Sequence, residues 1–591
     1  MCGIAGLLTE GAGAEASARA MAERIAHRGP DGIRVERIGA ATLAHARLSI
    51  IDLECGWQPL SVAGSTVIGN GEIYNYKELI AEHGLADGLS TGSDFEPLLH
   101  LYGREGAAAF ARLRGMYAFC LVGADGRTWL VRDRFGIKPL YVARREDGLA
   151  FASEPRALAD RAAPSRQAAA EVLALGYLAG AETTVWPGVR RLPPGAVIEV
   201  EDSRRKLGSQ PAGVGSEMTF AGPAHLAQAA PMLSRGHARG VPDEAATLAK
   251  LDAVLQDSVA VHQRSDVPYG LFLSGGIDSS AVATVMARLN TRPVTAFTCG
   301  FEGPGARDER AAAERVARAL DLDWRETTFG EADFWRILPE VAWALDDPTT
   351  DYAILPTYKL AEAAKGTLTV VLSGEGGDEL FGGYGRYRRA LRPRWLGGRP
   401  AEPQVDSPFL NDGGVAALAN WRVAARFGRP SGATPLAEAQ AADIATWLPN
   451  DLLLKLDRCL MAHGLEGRTP FLDREVAAFA LGLPDRFKVQ GRYGKWLLRR
   501  WLERACPAAE PWARKKGFTV PVAGWIAPRA AALGPWVAGN EGVRAVCDAE
   551  AVRSVFADEA GAKHRWPLLF YATWWNIHVA GMAKAEAAPP V

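Results

Sequence analysis

Twice along the chain an apolar run stops in a serine followed by glycines and carboxylates: YGLFLSGGIDSS at 269–280 and TVVLSGEGGDE at 369–379. A short apolar run entering a Gly-rich loop reads as a buried strand. The neighbouring segments have helical spacing. LAKLDAVLQDSVAVHQRS precedes the first loop and SSAVATVMARLN follows it. DERAAAERVARALDL then separates the strand-like PVTAFTCGF and DWRETTF, and a further helix ends at ALDD. Strands and helices in this rhythm predict a parallel sheet with helices on both faces. Both loops then leave the carboxyl edge of one sheet, where α/β proteins bind ligands. From about residue 246 the expected class is therefore α/β. Past about 385 the pattern is mostly helical, and 394–440 is poorly patterned.

The first part of the chain keeps a different rhythm. Residues 1–155 are dense in short β-like runs such as TLAHARLSIID, STVIGNGEIYN, YAFCLVGAD, TWLVRDRFG, LYVARR and LAFASE. Polar or Gly-containing turns between them predict packed antiparallel sheets with a few helices, an α+β arrangement. VWPGVRRLPPGAVIEVE (185–201) reads as one last strand pair about a Pro-Pro-Gly turn. The stretch 203–244 loses periodicity, is rich in Gly, Ala, Ser and Pro, and reads as a linker or mobile insert. The domains expected are 1–202, a connecting 203–245, and 246–591, a division that 591 residues can supply with separate cores.

Charge and cysteine usage narrow the setting. With 67 basic and 68 acidic residues the net charge is -1, which favours neither nucleic acid nor a membrane surface as partner. No run approaches the ~18 apolar residues of a membrane helix. The 7 cysteines are scattered without a CxxC pair, which argues against a zinc site or a disulfide scaffold and suits a reducing cytoplasm.

The loops and the amino terminus carry the chemistry. In Ser274-Gly275-Gly276-Ile277-Asp278-Ser279-Ser280 the glycines admit a phosphate to backbone N–H groups, and the helix that follows points its positive end there. A carboxylate among such groups, Asp278, suits a Mg²⁺ bound to a leaving pyrophosphate. The absence of GxxxxGK[ST] excludes a kinase-type P-loop. The second loop, Ser373-Gly374-Glu375-Gly376-Gly377-Asp378-Glu379, adds three carboxylates at the same edge. The chain opens MCGIAGLL. If Met1 is removed, Cys2 carries a thiol and a free α-amine that can take the thiol's proton, which makes it an N-terminal nucleophile.

SGGIDSS resembles the pyrophosphatase loop of enzymes that cleave ATP to AMP and pyrophosphate, and MCGIAG resembles the start of class II glutamine amidotransferases. Together, in this order and over nearly the whole chain, they resemble the glutamine-hydrolysing asparagine synthetases. The resemblance implies an N-terminal-nucleophile αββα sandwich (a glutaminase domain), followed by an α/β adenine-nucleotide-hydrolase-like domain with a helical C-terminal part. Cys2 would attack the glutamine amide. HARLSI and TGSD supply Arg47 for the glutamine carboxylate and Asp94 for its amine. NGEIYN supplies Asn70 and the Gly71 backbone as an oxyanion hole, with Glu72 on the glutamine. Leu273, Ser274, Gly275, Asp278, Ser279, Ser373, Gly374 and Lys495 match ATP-site residues, with Leu273 and Gly374 acting through their backbones. Asp278 and Asp378 match carboxylates that hold Mg²⁺, and Glu375 matches one acting at the acyl-adenylate. HRGPDG (27–32) also matches and reads as structural. LDRCLMAHGLEGRTPFLD (456–473) departs slightly, with Gly467 and Thr469 where the family suggests Ala and Val.

The activity so implied is amidation of aspartate with Mg-ATP and ammonia from glutamine, the ammonia crossing an internal tunnel. The implied substrates are glutamine, aspartate and ATP, and a homodimer is compatible with it. Two alternatives keep their place. The same chemistry could serve another carboxylate, a sugar acid or a cell-envelope or exopolysaccharide precursor, because no readable motif marks the acceptor pocket. A non-catalytic regulatory relative would have eroded a loop, yet Cys2, Arg47, Asp94, Asp278 and Glu375 all stand. Phosphoribosyl and hexosamine amidotransferases lack SGGIDSS, and a β-lactam-forming relative would have lost Cys2.

Overall fold

The structure, a computed structural model, describes residues 2–590 except 12, 147, 160–161, 201–242, 304–307, 394, 396, 399–404, 406, 420–432 and 514–519. Most of the expected insert and part of 394–440 therefore lie outside the described residues. The chain divides into two compact units: Met1–Asp160, Gly188–Gln228 and Arg264–Pro268 make the first, and Arg161–Pro187, Ala229–Gln263 and Tyr269–Val591 the second.

The first unit holds two antiparallel sheets. One runs in the order β10 (Val189–Arg191), β8 (Tyr141–Arg145), β9 (Gly148–Ala152), β1 (Gly3–Leu8), β3 (Ala41–Arg47), β2 (Gly32–Ile38). The other runs β11 (Val197–Glu199), β7 (Thr128–Arg132), β6 (Gly115–Val122), β5 (Ser65–Ile73), β4 (Leu60–Val62). Strand alternation explains the layers. Ile68, Ala118, Cys120 and Leu130 meet Ile4, Leu43, Val142 and Phe151 of the first sheet in one core. Their neighbours Val67, Phe119, Leu121 and Val131 face the other way, onto Leu79, Leu98 and Leu101 of helices α2 (Tyr76–His83) and α3 (Glu96–Glu105). Helix α1 (Ala14–Arg24) packs on β1, β2 and β3. The result is the αββα sandwich.

One expectation needs correcting. Val189–Arg191 and Val197–Glu199 do not pair with each other. The first joins β8 in one sheet and the second joins β7 in the other. Pro193 and Pro194 offer no N–H to a hairpin ladder, and the turn instead carries the chain across the sandwich, with Leu192 and Ala196 sunk in the core between the sheets.

The second unit is built on a five-stranded sheet ordered β14 (Asp323–Phe329), β13 (Thr295–Phe301), β12 (Tyr269–Phe272), β15 (Val370–Leu372), β16 (Glu466–Arg468). Every neighbouring pair is parallel. The order rises to one side of β12 and then to the other, so the direction of winding switches between β12 and β15. SGGIDSS leaves β12 and SGEGGDE leaves β15, which puts both loops at the switch point, the crevice where open α/β sheets bind ligands. The rest is mainly helical. The long helix Ala562–His578 is buried on nearly every side. Its Trp566 and Trp574 indoles donate to the Thr350 and Leu345 carbonyls, both at 2.8 Å, and Trp186 donates to Asp346 O at 2.8 Å.

Candidate active sites

In the first unit, Cys2 stands one residue before β1. Its N–H donates to Asn70 Oδ1 at 3.2 Å, and its thiol lies 3.7 Å from Leu48 O. Asn70 and Glu72 continue the row of Ile68 on β5, while His45 and Arg47 continue that of Leu43 on β3. Thus the row that fills the inter-sheet core ends, on both sheets, in polar groups. Asn70 is fully buried, and among the described residues its Nδ2 has no hydrogen-bond partner. Gly71 adopts φ +134°, and a Cβ there would come 2.0 Å from Met116 O, so no other residue fits beside Asn70. Arg47 donates to Asp52 O at 2.6 Å and lies over the Trp57 ring, 4.7 Å from its centroid. Asp94 accepts from Ile73 N at 2.6 Å, which ties it to the end of β5 beyond Glu72. The HRGPDG stretch supports this corner. Arg28 donates to Cys2 O at 3.3 Å and to the buried Glu154 at 2.8 Å, and His27 contacts Glu154 at 3.1 Å.

In the second unit the two loops touch. A Cβ on Gly374 would lie 2.8 Å from Asp278 Cβ and 3.0 Å from the Ser279 nitrogen, so this glycine is what lets them approach. Ser274 and Ser279 hydroxyls are 3.0 Å apart at the start of helix Ile277–Leu289, and Gly275 takes φ +70°. Ser373 N donates to Arg468 O at 2.9 Å. Both Leu273 backbone groups already serve the sheet edge: its N–H donates to Phe297 O at 2.9 Å and its carbonyl accepts from Thr298 at 2.7 Å. Lys495 joins the loops. Its ammonium pairs with Asp278 and with Asp378, the latter at 2.7 Å. Burial works against this charge, but the two carboxylates outweigh it and lift its pKa to about 12. Lys495 itself is 3% exposed, not a solvated helix residue, and it holds φ 55° just before helix Trp496–Ala505.

Glu375 points elsewhere. It pairs at 3.3 Å with Lys455, which also holds Asp351 at 3.2 Å. Burial penalises the Lys455 ammonium, yet the Glu375 and Asp351 carboxylates beside it keep it charged, well above its usual range. Asp451 is fully buried and bonded by Thr349, and burial with Asp351 alongside drives its carboxyl well upward, toward the neutral acid.

The family model for asparagine synthase matches residues 250–577, more than half of the chain, and that for the glutamine amidotransferase domain matches residues 1–210. The chain belongs to the asparagine synthase family. Its relatives include a putative glutamine-hydrolysing asparagine synthetase of Mycobacterium bovis, 32% identical over 100% of this chain and 99% of that one. Glutamine-hydrolysing asparagine synthetase 1 of Bacillus subtilis is 31% identical over 98% and 97% of the two chains. Asparagine synthetase B of Escherichia coli is 28% identical over 88% and 82%.

As a member of the asparagine synthase family, the chain brings its motif residues into two groups: Cys2, Arg47, Asn70, Gly71, Glu72 and Asp94, and then the β12 and β15 loops with Lys495. Sequence reasoning missed Lys455, Asp351 and Asp451. Their signal was present: a lone Lys inside LLLKL, within a helical run of apolar residues, must either snorkel or find buried carboxylates. Among the described residues no cluster of three or more His, Cys, Asp or Glu is arranged to hold a metal on its own, and no helix is long and apolar enough to cross a membrane.

Proposed function

We propose that the chain is a glutamine-dependent ligase that amidates aspartate through an acyl-adenylate, releasing AMP and pyrophosphate, in the cytoplasm. The observation that carries this reading is the Lys495 bridge, which gathers Asp278 and Asp378 from two Gly-rich loops at the switch point of a parallel sheet. The Cys2 corner supports the other half.

In the first unit the Cys2 α-amine takes the thiol's proton as the sulfur attacks the glutamine amide, and returns it to the amide nitrogen as the C–N bond breaks. Asn70 Nδ2 and the Gly71 N–H receive the oxyanion, with an expected ~10²–10³ loss of rate if one donor goes. Arg47 holds the substrate carboxylate, and Asp94 and Glu72 its amine side. Ammonia leaves, and water clears the thioester.

In the second unit an oxygen of the acceptor carboxylate attacks the α-phosphorus of ATP, and pyrophosphate departs. Ser274, Ser279 and Ser373 hydroxyls and the Gly275 and Gly374 backbone can face the phosphates. The residues fit a Mg²⁺: two carboxylates converge on one cation, Lys495, and this metal characteristically takes one or two carboxylates plus phosphate oxygens. Asp278 and Asp378 would hold it, and it would offset the negative charge of the pyrophosphate. Ammonia then attacks the acyl carbon, and Glu375, oriented by Lys455, accepts a proton as the C–O bond to AMP breaks.

The deciding experiment measures ATP–pyrophosphate exchange with aspartate, sugar acids and cell-envelope carboxylates. Exchange with aspartate is expected. Exchange with a sugar acid alone would replace the acceptor, and none with any carboxylate would remove the adenylate. Glu375→Gln should retain exchange and form little amide, and a normal amide yield would end its assignment.

A further inference from the structure

The β15 loop runs into a five-residue helix, Gly377–Phe381, that carries Asp378. So short a helix cannot satisfy its own last carbonyls, and being buried it must find donors elsewhere. The accounting closes completely. Asp378 O accepts from Gly383 N at 2.9 Å, and Phe381 O from Lys495 N at 3.1 Å. Glu379 O and Leu380 O both accept from one amide, Gln440 Nε2, at 2.6 and 2.9 Å. Gln440, on helix Pro435–Ala445, is fully buried. Its other end is also taken. Lys488 Nζ donates to Gln440 Oε1 at 3.0 Å and lies 3.5 Å from Leu481 O.

This arrangement is costly. Lys488 is 1% exposed and no carboxylate is paired with it among the described residues. Burial pulls its pKa down to about 8, with Asp485 opposing. A buried ammonium aimed at a neutral amide is a poor use of charge for stability alone. It does achieve two things. An ammonium on Oε1 forbids the flipped amide, which would set the oxygen against two carbonyls. It also polarises the amide and strengthens both donations, and it brings positive charge toward the negative end of the helix.

We propose that Lys488, acting through Gln440, is a positioning residue for the synthetase site: it locks the amide that holds helix Gly377–Phe381, and with it Asp378, in register with Lys495. The inference rests on reading Asp378 as a Mg²⁺–pyrophosphate carboxylate. The test is the Mg²⁺ dependence of exchange in the full-length chain carrying Gln440→Met, Gln440→Glu or Lys488→Met, with glutaminase rate and melting temperature alongside. Each variant should raise the Mg²⁺ half-saturation roughly tenfold, the scale of one or two lost hydrogen bonds. Excess Mg²⁺ should restore much of the exchange, and glutaminase should be unchanged. Gln440→Glu separates positioning from packing. It keeps the shape and gains an ion pair with Lys488, so a purely structural role predicts near-normal exchange. Positioning predicts impaired exchange that excess Mg²⁺ restores even well below the melting temperature, because a carboxylate cannot donate to Glu379 O and Leu380 O; the two abandoned carbonyls also lower the melting temperature itself. An unchanged half-saturation in Gln440→Glu and Lys488→Met overturns the proposal. Absence of exchange in the unsubstituted chain would overturn the reading of the loop itself.

Discussion

Single buried charges govern both units. Lys455 stands between Asp351 and Glu375, and Lys455→Met should leave those carboxylates uncompensated. The expected cost is ~3–5 kcal/mol, the usual result of removing one partner of a buried ion pair. Urea denaturation of the variant measures it, and the loss should exceed that of Glu375→Gln, which leaves Lys455 its contact with Asp351. His45 makes the opposite case. It is 1% exposed, and among the described residues neither ring nitrogen has a hydrogen-bond partner. Burial, with Arg47 next, lowers its pKa to about 3. The folded ring therefore stays neutral while the unfolded one takes up a proton below about pH 6.5. Its contribution to stability is whole above that pH and is lost as pH falls toward 3, at about 1.4 kcal/mol per pH unit. His45→Asn should flatten the decline of melting temperature between pH 6.5 and 4. An unchanged slope would show that the ring is protonated in the fold.

At the scale of elements, the segment Leu345–Asp351 is held by its main chain. Trp186, Trp566 and Trp574 donate to three of its carbonyls, and Thr350 N donates back to Gly176 O at 2.8 Å. Trp574→Phe keeps most of the ring volume and abandons the Leu345 carbonyl inside the protein. It should cost about 1–3 kcal/mol, read as a lower urea midpoint for loss of exchange, with glutaminase unaffected. None of these clamps was legible in the sequence. A tryptophan shows its size in a pattern but not which carbonyl its N–H will meet. Long elements were legible: β13, the neighbouring helices and the runs of residues 41–47, 65–73 and 115–122 follow from periodicity. Among short ones, β12 and β15 showed as apolar runs entering Gly-rich loops, and a strand without that mark did not show. Glu466–Arg468 is a fifth parallel strand of three residues inside a helical stretch, too brief for a period of two to register. The 185–201 stretch showed its strands but not their partners, because pairing across two sheets is decided by long-range packing.

For the whole molecule, the two chemistries as proposed draw on separate residues, one set per unit. Cys2→Ala should abolish amide formation from glutamine and leave formation from ammonium salts intact, while Asp278→Asn should remove exchange and spare basal glutaminase. Equal loss of both activities in either variant would show that the sites are not separable. The motif residues at both sites were readable because each sits in a local run, as in NGEIYN or SGGIDSS. Lys495 was readable only through resemblance, since it reaches Asp278 across 217 positions of sequence. The same kind of distance sets the order in which the molecule can assemble. Residues Arg161–Pro187 belong to the second unit, yet they precede most of it. The Trp186 indole is made 160 residues before the Asp346 carbonyl that receives it. At ordinary rates of synthesis, roughly 5–20 residues per second, that is a wait of about 10–30 s on the ribosome. Through that interval the strands of the first unit can close around β10, while Val185 and Trp186, immediately upstream, stay unpartnered. The second unit is thus obliged to fold late, around a segment that its neighbour released early.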